Sequence, residues 1–321
     1  IINEYAPYPV LVSSSSGLSI IKGNDIYNIL TTANGFYIFG IVCTGKKIIV
    51  SLNFHLPIKS RFDLFIKKRL SMLISTDLEE INNVLKRKVS KINWKIIYKE
   101  TKKNYSYLNF FKGKLYAADY LGSIDEFEFE SKTNSLEKIS SLNLLENIVQ
   151  KPSYFYPFLH LNCVSLDDKF IYIGSHAYTR MTNLGSSLYK ANRNTGKVEL
   201  DRKTDFISGH DMMKINNDFY GLDSENERLM KNEDCIYKSN EQSFLRGLSV
   251  NNNGYVLGAS VFSKKRSDRY KINRGNKIIF LNKDGSLINS VKPNLSSIYN
   301  IYTLDSEELT QSSPVKMDLK L

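Results

Sequence analysis

The sequence predicts an all-β fold built from a repeated four-stranded unit. Short β-branched and aromatic runs recur along the chain, broken by turn residues every eight to twelve positions, and long amphipathic helices are nearly absent. Four segments can also be laid over one another: YLNFFKGKLYAADYLG from Tyr107, HLNCVSLDDKFIYIGS from His160, HDMMKINNDFYGLDSE from His210 and RGLSVNNNGYVLGASV from Arg246. Each reads as a strand, a turn rich in Gly, Asn, Asp or Lys, and a second strand ending on a small or polar residue. Four strands per unit, repeated every 36 to 53 residues, is the sequence signature of β-propeller blades.

The elements support this in order. Strands PVLVSSS, GLSIIKG and DIYNIL come first, and a diverged unit follows from Gly35 (GFYIFGIVCTGKKIIVSLNF), through FDLFIKK to WKIIYKE. The four aligned hairpins are each followed by a second strand pair: SIDEFEFE with SLEKISS, SSLYKANRNTGKVELD, ERLMKNEDCIYKS and KIIFLNKDGSLINSV. Asn194-Thr195-Gly196 and Lys283-Asp284-Gly285 are the sharpest hairpin turns. SIYNIYTLD, 297–305, supplies one more strand, and the three N-terminal strands lack an inner partner that it can provide. The expected fold is a six-bladed β-propeller closed by strands from both ends of the chain, which leaves no open sheet edge at the closure. It forms one domain over 1–305, with an insertion at 69–93 and a loose tail at 306–321. Within the insertion, STDLEEINNVLKRKVSK predicts a short helix near 75–90, capped by Ser75 or Thr76.

Composition narrows the classes further. Of 321 residues, 42% are hydrophobic and 24% charged, which excludes a disordered chain. Forty-four Lys and Arg against 33 Asp and Glu give +11, an invitation to acidic partners. Cys43, Cys163 and Cys235 are too few and too far apart for a disulfide framework or a C-x-x-C metal site. No run approaches the roughly 18 apolar residues of a membrane span, and Ile1-Ile2-Asn3-Glu4 does not open a signal peptide. A cytoplasmic protein is the expectation.

Only four histidines occur, and three fall between 160 and 210. In a propeller the innermost strand of each blade lines the channel, and the end of the second strand returns to the face where the first began. His160, His210 and Arg246 each open an innermost strand in this register, with Tyr107 at the matching place. His176 and His55 sit where second strands end, and Arg180 lies in the loop after His176. All four histidines therefore map to one face. So does the loop Ser263–Asn276, which carries Lys264, Lys265, Arg266, Arg269, Lys271 and Arg274.

The phrases HLNCVSLDDKFIYIGS, SGHDMMKINNDFYGLDSENERL and SFLRGLSVNNNGYVLGAS resemble a family of uncharacterised bacterial β-propellers. That family carries H-hydrophobic-N, a second histidine before an LWLLDSG-like strand, and a TRGL-like strand. The matching positions are His160, Asn162, His210, Asp223, Ser224, Arg246 and Gly247, over about 100 residues from His160. A weaker likeness is to bacterial arylsulfotransferases, six-bladed propellers with H-x-N and H-D elements. That resemblance implies His210 as a nucleophile carrying the sulfuryl group, with His160, Asn162 and an arginine stabilising it. The sequence departs from that pattern at Gly209, where Gln is expected, and at His176.

The functional expectation is a His/Arg-lined channel mouth that binds, and transforms, an anionic or polyhydroxylated small molecule by transferase- or lyase-like chemistry. His210, His160 and Arg246 are the candidate catalytic residues, since imidazole titrates near neutrality and arginine presents a fixed fork of donors to an oxyanion. Asn162, His176, Arg180, Tyr107, Asp223 and His55 are the candidate ligand-binding residues. No cofactor is named, and no metal ligand is assigned. Three imidazoles suffice for a catalytic zinc-like ion, but no H-x-H or H-E-x-x-H spacing singles out that variant. The alternative is a non-catalytic propeller that shows the same face to a protein or glycan. Nucleic acid is the weakest partner class, because no nucleic-acid module accompanies the positive charge. No G-x-G-x-x-G, Walker or G-x-S-x-G sequence occurs.

Overall fold

A computed structural model of the chain describes residues 5–32, 36–54, 69–86, 91–130, 132–147, 160–176, 185–261 and 275–304. Within them the chain forms six four-stranded antiparallel sheets. Blade 1 holds β1 (Ala6–Ser14), β2 (Gly17–Gly23) and β3 (Asp25–Thr31). Blade 2 holds β4 (Phe36–Cys43), β5 (Lys47–Phe54), β6 (Leu70–Asp77) and β7 (Lys95–Glu100), with helix α1 (Leu78–Leu85) between the last two. Blade 3 holds β8 (Tyr105–Phe111), β9 (Lys114–Asp119), β10 (Ser123–Glu130) and β11 (Ser135–Asn143), followed by a single helical turn, α2 (Leu144–Asn147). Blade 4 holds β12 (Leu161–Leu166), β13 (Phe170–Ser175), β14 (Ser187–Asn192) and β15 (Val198–Lys203). Blade 5 holds β16 (Gly209–Ile215), β17 (Asp218–Asp223), β18 (Arg228–Lys231) and β19 (Asp234–Lys238). Blade 6 holds β20 (Ser243–Asn251), β21 (Gly254–Val261), β22 (Lys277–Leu281) and β23 (Leu287–Val291). The last strand, β24 (Ile298–Thr303), pairs with β1 from Val10↔Thr303 to Ser14↔Ile298 and completes blade 1 from inside.

The expected six-bladed propeller is therefore what forms, including the split blade. Alternation explains why the strands look continuously apolar. Successive side chains point to opposite faces of a blade, and each face packs on a different neighbour. In β9, Tyr116 and Ala118 join the core shared with Leu161, Val164 and Ile173 of blade 4, while Leu115 and Ala117 join Val42, Ile49 and Leu73 of blade 2. Both faces of each blade are buried, so both alternating sets must be apolar.

The middle of blade 2 departs from expectation. Residues 70–77, expected to belong to an insertion, form β6, a central strand paired on both sides with β5 and β7. Ser75 and Thr76 consequently lie in this strand. The N-cap of α1 is Asp77, whose side chain makes no capping bond, and Glu79 and Glu80 occupy the first turn. FDLFIKK and the tail from 305 onward lie outside the described residues. No helix among the described residues is long and apolar enough to cross a membrane.

Polar stitches tie the innermost strands together near the channel. Ser106 Oγ donates to Leu161 O at 2.8 Å, and Asn162 Nδ2 donates to Gly209 O at 2.7 Å. Further along the strands, Asn109 Nδ2 reaches Val164 O at 3.0 Å, and Lys214 N–H reaches Ser165 Oγ at 3.0 Å. These bonds satisfy inward-facing polar groups that burial would otherwise penalise.

Candidate active site at the channel mouth

Three histidines converge where blades 4 and 5 meet. His160 stands one residue before β12 and His176 one residue after β13; because Leu161 pairs with Ser175, the two rings flank the same rung of the sheet. Their centroids are 3.6 Å apart at an interplanar angle of 44°. His210, on β16, lies 5.3 Å from His176 and 6.4 Å from His160, centroid to centroid. One ring nitrogen from each of the three falls within 4.8 Å of the others. His176 and His210 are buried, and His160 is partly exposed, with the Tyr120 ring 4.1 Å away.

His160 and His210 do not occupy equivalent places, contrary to the repeat register. The first rung of blade 4 is Leu161↔Ser175 and that of blade 5 is Gly209↔Asp223. His160 precedes its rung and matches Ser208; both have left-handed backbones, with φ +49° and +55°. His210 follows its rung and matches Asn162 and, in blade 3, Ser106. At those two positions the side chain donates to the first-rung carbonyl of the next blade. His210 is turned back on its own blade instead. Its Nδ1 lies 2.7 Å from Ser208 O and 2.9 Å from Ser224 Oγ. A carbonyl can only accept, so Nδ1 carries a proton in this contact, and in the neutral ring the lone pair would be on Nε2.

The residues around His210 are fixed from several sides. Gly209 donates to Ser186 Oγ at 2.9 Å and accepts from Asn162. A Cβ on Gly209 would meet Ser186 Oγ at 2.7 Å, which accounts for glycine here. Asp223 accepts from Ile207 N at 2.9 Å, from Asn226 Nδ2 at 2.8 Å and from Arg228, all in the loop and strand that frame Ser208 and Ser224.

Arg246 approaches from blade 6. Its guanidinium carbon is 4.7 Å from the Tyr299 ring centroid and 5.8 Å from that of Phe39, and these rings pack at 4.6 Å. Its charge is felt at two site residues. Burial, reinforced by Arg246, pushes His176 down to about 3, so the ring is neutral at pH 7. Burial pushes the Asp211 carboxyl up to about 7, against the Gly247 N–H that donates to it at 2.9 Å and against Arg246.

Of the remaining expected residues, Asn162 is buried; its Nδ2 makes the stitch to Gly209, and its Oδ1 has no hydrogen-bond partner among the described residues. Tyr107 shares a side-chain hydrogen bond with Cys163, and burial raises both groups well above their usual ranges. Asp223 is fully buried and directed to Arg228 and the 207 backbone, not into the histidine cluster. His55, Arg180 and the six basic residues of 263–274 lie outside the described residues. Sequence reasoning missed Asp211, Ser208, Tyr120, Phe39 and Tyr299. Asp211 alone left a trace, following His210 at the start of an inner strand. A crevice of about 240 Å³ between β3 and α1, lined by Ile29, Leu30, Val84, Ile92 and Trp94 among others, shares no residue with the cluster.

The arrangement can move a proton at a lone-pair nitrogen, offer three imidazole nitrogens to a cation, and pair an oxyanion with a guanidinium. No protein-family model matches the chain, and no curated protein does. Among solved structures, the chain is similar to a putative 6-phosphogluconolactonase from Bacteroides fragilis NCTC 9343, at 11% identity and TM-score 0.54, over 94% of this chain and 98% of that one. It is also similar to the periplasmic gluconolactonase of Pseudomonas aeruginosa, at 10% identity and TM-score 0.50, over 93% and 99%. At such identities the likeness is one of fold, and it defines this chain as a β-propeller. The propeller part of the motif resemblance is thereby matched.

Proposed function

We propose that the protein binds and transforms an anionic or polyhydroxylated small molecule at this channel mouth. His210 supplies the reactive lone pair, His160 and His176 complete the polar wall, and Arg246 holds the ligand's negative charge. The observation that supports this most is the turn of His210. It occupies a position used in blades 3 and 4 to stitch neighbours together, yet its Nδ1 is directed to Ser208 O and Ser224 Oγ on its own blade, which sets its ring beside those of His160 and His176. Three imidazoles packed together beside an arginine stacked on two aromatic rings bring proton-exchanging and positive groups to one place, a combination suited to a polar, anionic ligand. Arg246, planar and permanently charged, suits a carboxylate, phosphate or sulfate.

Thermal melting against sugar acids, sugar phosphates and aryl sulfates tests the reading. At least one class is expected to raise the wild-type melting temperature; ligand at 100 times its Kd adds about 2.7 kcal/mol. His210→Gln and Arg246→Gln are expected to keep a cooperative transition and lose that rise. A wild-type transition unmoved by every class, or variants that respond like wild type, would refute it.

A further inference from the structure

We infer that His160, His176 and His210 together hold one divalent transition-metal ion, and that an oxyanion of the ligand completes its coordination on the side of Arg246. The inference rests on the reading above and gives the His210 lone pair a different use, coordination in place of proton transfer.

The geometry carries it. Three imidazoles are a sufficient protein donor set for a zinc-like ion that keeps a further position open, and imidazole suits zinc, copper, iron and nickel. One nitrogen from each ring already lies within 4.8 Å of the others. In a tetrahedral centre with metal–nitrogen bonds of about 2.0–2.1 Å, the nitrogens stand about 3.4 Å apart. Rotation of the rings about their side-chain bonds would supply the closure, and His160 is the partly exposed member of the three.

The outer shell fits as well. A ligating histidine ordinarily donates its second ring N–H to a carbonyl or carboxylate, which fixes the tautomer and the ring plane. His210 does this to Ser208 O, with Ser224 Oγ alongside. Two ligands flank the first rung of blade 4 and the third comes from blade 5, and the Asn162–Gly209 hydrogen bond pins those blades together beside the three rings. A dication next to the Arg246 guanidinium makes the mouth strongly electropositive. Asp211 answers part of that charge, and a carboxylate or phosphoryl oxygen bridging metal and guanidinium answers more.

Tag-free full-length protein, stripped with chelator, is titrated with Co(II) alone, whose visible bands report coordination number. One equivalent is expected to bind with the absorption of a four- or five-coordinate ion. His176→Ala and His210→Ala should each weaken binding by at least the roughly 100-fold that losing an outer-shell partner can cost. His160→Ala, at the partly exposed position, should do the same in a protein whose melting is unchanged, which separates ligation from folding. Ser224→Ala should weaken it roughly 10-fold. Inorganic phosphate should shift the Co(II) bands in wild type and not in Arg246→Gln. Sub-stoichiometric binding, or equal affinity in wild type and all three histidine variants, overturns the inference. If that occurs while a small molecule still stabilises the protein through His210 and Arg246, the functional reading survives without a metal. If Co(II) binds as described and no small molecule does, the metal site stands and the functional reading falls.

Discussion

Replacing Gly247 by alanine tests how tightly the channel wall is built around the site. Gly247 has φ +81°, and a Cβ there would lie 3.2 Å from Asn300 C, Ile301 Cγ1 and Ile301 N, all on β24. Gly23 provides the control, with φ +59° and nothing within 4 Å of an added Cβ. Both substitutions place an L side chain in the left-handed region, which costs about 1–2 kcal/mol. Both also remove unfolded-chain entropy, which returns about 0.4–1 kcal/mol. What distinguishes Gly247→Ala is crowding against β24, at about 1–3 kcal/mol for overpacking, together with strain on the 2.9 Å Gly247–Asp211 hydrogen bond. Urea denaturation should give Gly247→Ala a midpoint lower than that of Gly23→Ala by the equivalent of about 1–3 kcal/mol, at equal m-value. Equal midpoints would refute the claim that the wall at β20 and β24 has no slack.

Two further outcomes are expected. Burial lifts the Asp119 carboxyl from 3.8 to about 6, against the Asn104 N–H and the charges of Lys103 and Arg69. A folded-state value above the unfolded one means that this group's contribution is fully present below about pH 4 and is lost as pH rises through 6, by up to about 3 kcal/mol. Asp119→Asn should therefore gain stability relative to wild type between pH 4 and pH 7, and parallel melting curves across that range would contradict this. Asp223→Ala strips the buried partner from Arg228 and from Ile207 N–H. Arg228 is about a quarter exposed, so the loss should fall near the lower end of the range for a broken buried pair, about 3 kcal/mol in denaturant unfolding; a loss under 1 kcal/mol would mean that water replaces the carboxylate.

Much of this fold is legible in the sequence because a propeller repeats its local pattern. Alternation, turn residues and the unpartnered strand at 297–305 are short-range signals, and together they place the blades and the split closure. The third strand of blade 2 is less legible. FDLFIKKRLSMLIS holds two apolar runs on either side of Lys67-Lys68-Arg69, and local pattern cannot choose which of them pairs with β5 and β7. At the site, the neighbourhood of His160 and His176 follows from the hairpin that joins them. The difference in register between His160 and His210 does not, since it depends on where the first rung falls: Leu161 and Gly209 open inner strands of matching register, which leaves His160 before its rung and His210 after. Phe39 and Tyr299 meet Arg246 only because the ring closes, and no local signal reports that.

The closure of blade 1 also constrains how the protein is made. β24 is the inner strand of a sheet whose other three strands are translated before the remaining five blades. Until residues 298–303 leave the ribosome, β1 has an unpaired backbone edge and Val10, Leu11 and Val12 lack part of their cover. A nascent chain in that state presents the kind of edge on which aggregation begins. Pairing Val10 with Thr303 is a contact of very long sequence separation and correspondingly slow formation. The final latch of the ring is thus the stage at which chaperone engagement would matter most.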